Sequence, residues 1–313
     1  MLFYIVRRVI ATIPVMGIVA ITVFSLLYLA PGDPAAIIAG DQATTQQIAQ
    51  IRASLGLNQP YLVRFGHWVW QVVHGDLGTS VFTGQPVARM IAQHIEPTLS
   101  LMILTMLIAI TVAVPLGVIA AWKHGTWIDH AVMVFAVLGF SVPVFVIAYL
   151  LAYVFGLGLR VLPVQGFVPI SQGFWPFLQC LILPSLALGA IYVALLARIT
   201  RAAMLEVLAQ DYVRTARAKG VSQRGVLFVH ALKNAANPVV TVAGLGVALL
   251  IGGTVVTETV FAIPGLGTLT VNAILERDYP VIQGVVLLFS FAYVIVNLIV
   301  DLLYSVFDPR IRL

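Results

Sequence analysis

The chain has 313 residues, of which 61% are hydrophobic and only 9% charged, with a formal charge of +5. An average soluble domain carries about 25% charged residues, so a soluble fold of this length could not hide so much apolar surface and the bilayer must serve as part of its solvent. That excludes a soluble nucleic-acid-binding domain as the source of the positive charge, and the single cysteine, Cys180, excludes an internal disulfide.

Arg7 and Arg8 precede a charge-free stretch that lasts until Asp33. A signal peptide has a shorter apolar region of about 7–15 residues and a small-residue cleavage site, so this stretch reads as an uncleaved first span. Six stretches approach the ~20 apolar residues needed to cross a bilayer. They cover residues 9–29, 98–121, 131–157, 177–197, 239–263 and 281–300. Proline or glycine marks most borders, at Pro31-Gly32, Pro97, Pro176, Pro238, Pro264-Gly265 and Pro280. Residues 161–176 are uncharged but rich in Pro and Gly, which predicts a loop or a re-entrant segment. The expected fold is all-α and polytopic, with six transmembrane helices.

Lys and Arg set the orientation. With the N-terminus cytoplasmic, the 17 basic residues divide 12 inside to 5 outside, so both termini are expected in the cytoplasm. The first long loop, residues 30–96, is then external and helical. Residues 48–57 and 61–73 have the pattern of short amphipathic helices. Trp68 and Trp70 in the second of these suit an interfacial aromatic belt or local packing. His67 and His74 lack an acidic or cysteine partner at ligand spacing, so no metal site is expected. His94, His124, His130 and His230 read as polar surface or interface residues.

The second long loop, residues 198–237, is cytoplasmic and holds seven of the basic residues. It predicts a helix ending at Gly220 and a second helix over residues 224–234. No phosphate-binding G-x-x-x-x-G-K-[ST], H-E-x-x-H or G-x-S-x-G occurs, so no catalytic residue and no cofactor are expected. Ion-coupled carriers and membrane-embedded proteases need ionisable groups at bilayer depth. The six stretches lack them, apart from Glu258 near one end, so the chain reads as a conduit driven from outside. The basic segment 212–219 suits docking of a motor, which would transmit rigid-body motion to the spans, and it equally suits an ordinary positive-inside loop.

The run Tyr212-Val213-Arg214-Thr215-Ala216-Arg217-Ala218-Lys219-Gly220, followed by His230-Ala231-Leu232-Lys233-Asn234 and Pro238, resembles the cytoplasmic loop of binding-protein-dependent ABC importer permeases. It is similar to the dipeptide/oligopeptide/nickel branch, first-permease type, with Arg214-Thr215-Ala216 where the wider superfamily has Glu-Ala-Ala. Further resemblances run along the chain. They include Pro31-Gly32-Asp33-Pro34, Leu55-Gly56-Leu57-Asn58-Gln59-Pro60, Gly75-Asp76-Leu77-Gly78-Thr79-Ser80 and Ile182-Leu183-Pro184-Ser185. They continue through Thr257-Glu258-Thr259-Val260-Phe261, Pro264-Gly265-Leu266-Gly267, Asp278-Tyr279-Pro280 and the tail Tyr304-Ser305-Val306-Phe307-Asp308-Pro309-Arg310.

The resemblance implies one transmembrane domain over residues 1–313. It would have a first span at 1–30, an external region at 31–96 and a core permease at 97–313 with its coupling loop at 198–237. Tyr212, Arg214, Thr215, Ala216, Arg217, Ala218, Lys219 and Gly220 would form the ATPase-coupling helix. Implied partners are a homologous second permease, one or two cytoplasmic ABC ATPases and an extracytoplasmic substrate-binding protein, in a bacterial inner membrane. The implied cargo is a di- or oligopeptide, with nickel complexes or glutathione as alternatives. A non-conducting structural or assembly subunit is the rival from another class.

Thr254, Thr257 and Glu258 are candidates for the outer mouth of the pathway, and Glu258 equally suits a helix-end carboxylate facing water. The small residues Ala243, Gly244, Gly246, Ala248, Gly252 and Gly253 suit close approach of the fifth span to a partner or packing within one subunit.

Overall fold

A computed structural model of the chain describes residues 2–29, 34–39, 44–54 and 56–307. Pro31-Gly32-Asp33, Leu55 and the tail from Asp308 onward, with Arg310 and Arg312, lie outside the described residues. No strand forms among the described residues; a single isolated bridge joins Thr79 and Pro86.

Among the described residues, five helices are long and apolar enough to cross a membrane: Ile10–Leu29, Val87–Trp122, Phe174–Leu208, Gly225–Val260 and Tyr279–Val300. They belong to α1 (Leu2–Leu29), α5 (Val87–Trp122), α8 (Phe174–Leu208), α10 (Leu232–Val260) and α12 (Tyr279–Phe307). The third expected span is a broken pair. Here α6 (Trp127–Ser141) and α7 (Val144–Leu151), the latter continued by a π-helical segment Ala152–Gly158, bend by 102°. Pro143 causes the break. Its ring pushes the preceding Val142 out of the helical region to ψ 126°, and Pro143 then opens α7.

Two expected borders are corrected. Pro97 lies inside α5, and Pro238 lies inside α10. Proline deletes only one backbone hydrogen bond, and apolar helices in lipid tolerate that loss because no better alternative exists for the remaining backbone. The separate helix expected over residues 224–234 is also corrected. Gly225–Ala231 is a π-helical segment that runs on into α10. Pro176, by contrast, falls in the first turn of α8, where the missing N–H costs nothing. The stretch after Gly158 is irregular up to a 3-10 turn at Ile170–Gln172, as its Pro and Gly content predicts.

The described residues form two compact units. One comprises residues 96–267 and 295–307, and in it α8 packs against α6, α7 and α10. Close approach of α5 to α8 depends on Gly117, where an added Cβ would lie 2.6 Å from Thr200 Cβ and 2.7 Å from the Ala197 carbonyl. At one end of this unit Val118, Ala121, Ala203, Met204, Leu227, Ala231 and Ala235 form one apolar cluster that joins α5, α8, the π segment and α10.

The other unit comprises residues 2–95 and 268–294. It includes α2 (Pro34–Ala39), α3 (Thr45–Ser54) and α4 (Tyr61–Val73), the last matching its expected bounds. The Phe24 ring of α1 sits 5.3–5.4 Å from the rings of Tyr61, Phe65 and Trp68 on α4. Two distant motifs also meet here. The buried Asp278 accepts a short hydrogen bond from Ser80 Oγ, and Gly78 lies against Pro280.

Candidate functional site

The segment 212–219 forms α9 (Asp211–Ala218), a two-turn helix. Asp211 in its first turn and Arg217 in its last both suit the helix dipole. Gly220 stops it at φ +79°, a left-handed conformation that glycine adopts without a Cβ penalty. The last carbonyls are closed by the Lys219, Gly220 and Val221 N–H groups. Val213 is buried, while Arg214, Arg217 and Lys219 are exposed. Arg214 reaches Asp211 at 3.5 Å, a surface pair of little energetic weight. A polar brace ties α9 to the helix that follows. Asn234 Nδ2 donates to Tyr212 Oη at 2.9 Å and to the His230 carbonyl at 2.8 Å. The arrangement is an anchored helix with an exposed basic face, joined at both ends to spanning helices.

A second constellation joins α6 to the same end region of α8. Asp129, 1% exposed in the first turn of α6, receives Arg201 in a two-pronged fork. Arg201 Nε donates to Oδ1 at 2.5 Å and Nη2 to Oδ2 at 2.8 Å. The Gly125 N–H adds a third donor at 3.1 Å. His124 Nδ1 lies 3.0 Å from Asp129 Oδ2 and 3.2 Å from Arg201 Nη2. One ring nitrogen can donate to the carboxylate or accept from the guanidinium, never both, so His124 is an adaptable third member. Bidentate geometry and three donors are what make a buried charge pair tolerable.

The third constellation closes the opposite end of α10. Glu258 is 0% exposed, which corrects the reading of a carboxylate facing water. Thr98 Oγ1 donates to Glu258 Oε1 at 2.7 Å and accepts from the Leu266 N–H at 2.8 Å. The chain turns back over the helix end, with the Ile263 N–H donating to the Glu258 carbonyl at 2.8 Å. Gly265 and Gly267 lie so close that an added Cβ would stand 2.4 Å and 2.7 Å from the carboxylate oxygens. Pro264-Gly265-Leu266-Gly267 therefore wraps the carboxylate, and only glycine fits at either contact. Thr254 and Thr257 are buried as well.

Along α10 the small residues divide by face. Gly244 meets Val300, and Gly246 meets Met106 and Tyr192, so both serve packing within this unit. Leu245, Leu249, Gly252 and Val256 recur at spacings of four, three and four residues as an exposed stripe, with open space beyond Gly252.

Residues 113–313 match the family described as binding-protein-dependent transport system inner membrane component, and residues 1–102 match its N-terminal counterpart. The chain belongs to this family. The permease is 55% identical over 309 residues to the probable peptide ABC transporter permease protein y4tP of Sinorhizobium fredii, covering 99% of each chain. It is 42% identical over 332 residues to the dipeptide transport system permease protein DppB of Alkalihalophilus pseudofirmus, covering 100% of each. It is 45% identical over 312 residues to the glutathione transport system permease protein GsiC of Salmonella choleraesuis, covering 100% of this chain and 99% of the relative. A chain of the MetNI methionine ABC transporter, solved in inward-facing conformations, superposes with a TM-score of 0.58 at 16% identity, over 70% of this chain and 96% of that one. That likeness establishes the fold alone.

The permease thus contains a buried ion pair that no sequence motif marks. Asp129 and Arg201 are 72 residues apart, and neither stands in a motif. The available signal was Asp129 itself, a lone acid at the head of an apolar run, where a carboxylate needs a partner.

Proposed function

We propose that this permease forms half of the translocation pathway of an ATP-driven importer of di- or oligopeptides, with α9 as the helix that receives a cytoplasmic ATPase. The carrying observation is α9 itself, whose anchored Val213 and Tyr212 leave Arg214, Arg217 and Lys219 exposed on a helix joined to α8 and α10. A push on so short a helix reaches both spans as rigid-body motion. The chain has no phosphate loop, so the hydrolysis that powers the cycle belongs to its partners.

The peptide cargo is supported by relatives named for peptides and dipeptides, and glutathione, the cargo of another, is itself a tripeptide. The family description supports a bacterial inner membrane, and the division of basic residues supports cytoplasmic termini. An extracytoplasmic binding protein delivers the cargo, and a homologous second permease completes the pathway along the exposed stripe of α10. Glu258 acts at the outer end by holding the hairpin that follows it, and Thr254 and Thr257 lie buried within the subunit near that end.

Two outcomes test this reading. Reversing Arg214, Arg217 and Lys219 to glutamate is expected to cut the ATP hydrolysis stimulated by loaded binding protein at least ~10-fold, because misplaced charge at an interface costs several kcal/mol. Unchanged stimulation in the assembled complex would remove α9 as the docking helix. A cysteine at Gly252, in a chain with Cys180 replaced by alanine, should cross-link to a cysteine scanned along the partner permease. Labelling by lipid-soluble thiol reagents with no cross-link would assign the stripe to lipid.

A further inference from the structure

The helix α4 presents three separate faces, and the chemistry of each is different. At about 100° per residue, Tyr61, Phe65 and Trp68 fall on one arc about 60° wide. These are the side chains packed on Phe24 of α1. Arg64, His67 and Gln71 share a second arc about 60° wide and line an open cleft of about 310 Å³ together with Gln59. Leu62, Val63, Gly66, Val69, Trp70 and Val73 share a third arc about 120° wide. That arc is apolar and bare: Leu62 is 77% exposed, Trp70 67% and Val73 75%. A surface helix in water would turn such an arc inward.

The place where α4 is fastened says what covers the bare arc. Ser25 and Tyr61 share a hydrogen bond at 2.7 Å, and Arg64 Nη1 donates to Tyr28 Oη at 2.9 Å. The Arg64 guanidinium also lies 5.3 Å above the Phe24 ring. All these α1 residues fall in its last two turns, within about 8 Å of its end at Leu29. The apolar stretch Ile10–Leu29 has 20 residues, which matches the hydrocarbon thickness of about 30 Å. Its end is therefore where hydrocarbon gives way to headgroups. The outward side of α1 is itself bare and apolar at Ile13, Ile18, Ile21 and Leu29, so α4 adjoins a surface already in lipid. Arginine stacked on aromatic rings, with an exposed tryptophan nearby, is the composition of that boundary layer.

We propose that α4 is a membrane-surface helix. The Leu62–Trp70–Val73 arc is buried in the outer boundary of the bilayer, the Arg64–His67–Gln71 arc faces water, and the partner is the phospholipid surface. This holds the first span and the external region at a set depth whatever the cargo.

The test uses the assembled transporter in phospholipid nanodiscs, with Cys180→Ala as background. Single cysteines replace Leu62, Val73, His67 or Gln71, all at exposed positions, and each carries a nitroxide label. Collisions with oxygen, which concentrates in lipid, are compared with collisions with a water-soluble nickel chelate. The oxygen-to-nickel ratio is expected to be at least several-fold higher at 62 and 73 than at 67 and 71. Equal ratios at all four positions would place α4 in water and overturn the proposal. Shielding of 62 and 73 from both reagents would overturn it too, by showing that protein covers the arc: the second permease if shielding persists without the binding protein, the binding protein if it does not.

Discussion

Replacing Arg201 with methionine is expected to lower the thermal unfolding midpoint of the purified permease by about 6–12 °C, from a cost of about 3 kcal/mol at about 2–4 °C per kcal/mol. Methionine fills much of the arginine volume, so packing alone predicts little. The loss arises because Asp129, 1% exposed, keeps its charge and loses both prongs of its main partner. Cys180, buried in α8, is a built-in reporter, since a thiol-reactive dye gains access to it only on unfolding. The double variant R201M/D129N should recover most of the loss, because no bare charge remains and asparagine still accepts from the Gly125 N–H. His124→Ala should cost less than about 1 kcal/mol, since the ring is largely exposed and only flanks the pair. A midpoint for R201M matching the unaltered chain would show that the fork contributes nothing to holding α6 against α8.

Thr98→Val should destabilise the permease by about 2–4 kcal/mol, because a shape-neutral change removes one buried hydrogen bond to a charged group, worth about 1.5–3 kcal/mol, and one from a backbone N–H, worth about 0.5–1.5 kcal/mol. The bonds lost run from the Thr98 hydroxyl to the Glu258 carboxylate and from the Leu266 N–H to that hydroxyl. Thr98→Ser keeps the hydroxyl and should stay within about 1 kcal/mol of the unaltered chain. Gly265→Ala reaches the same carboxylate by another route, since its methyl would stand 2.4 Å from Glu258 Oε1, and overpacking of this kind costs about 1–3 kcal/mol. The two changes act on one contact, so the double variant should lose less than the sum of the single ones. The same dye assay with Cys180 measures all four chains. A stable Thr98→Val chain would mean that the hydroxyl is not what clamps the hairpin to the end of α10.

Several features were legible in the residues because they depend on local physics. Apolar runs of bilayer length became helices at 98–121, 177–197 and 281–300, although all three helices begin earlier than their proline or apolar borders implied. Gly220 stopped α9 where a left-handed residue was needed. The pattern of residues 61–73 became α4 with its bounds unchanged. Proline was the misleading signal. Pro97 and Pro238 are absorbed within helices, whereas Pro143, not taken as a border, breaks a span by 102°. Whether one lost hydrogen bond bends or breaks a helix depends on what packs beside it, and that is a tertiary matter.

By itself the sequence determined that the chain lives in a bilayer, that it is helical and that it lacks a nucleotide-binding loop, because hydropathy, helix length and motif spacing are properties of contiguous residues. Its order of short motifs also determined the family. Only the tertiary structure decided that Asp129 meets Arg201, that Glu258 is enclosed by Thr98 and two glycines, and that α4 leaves one apolar face bare on the end of α1. Those pairings join residues up to 160 positions apart. A charge or a glycine reveals that it needs a neighbour, but the identity of the neighbour is set by how the helices pack.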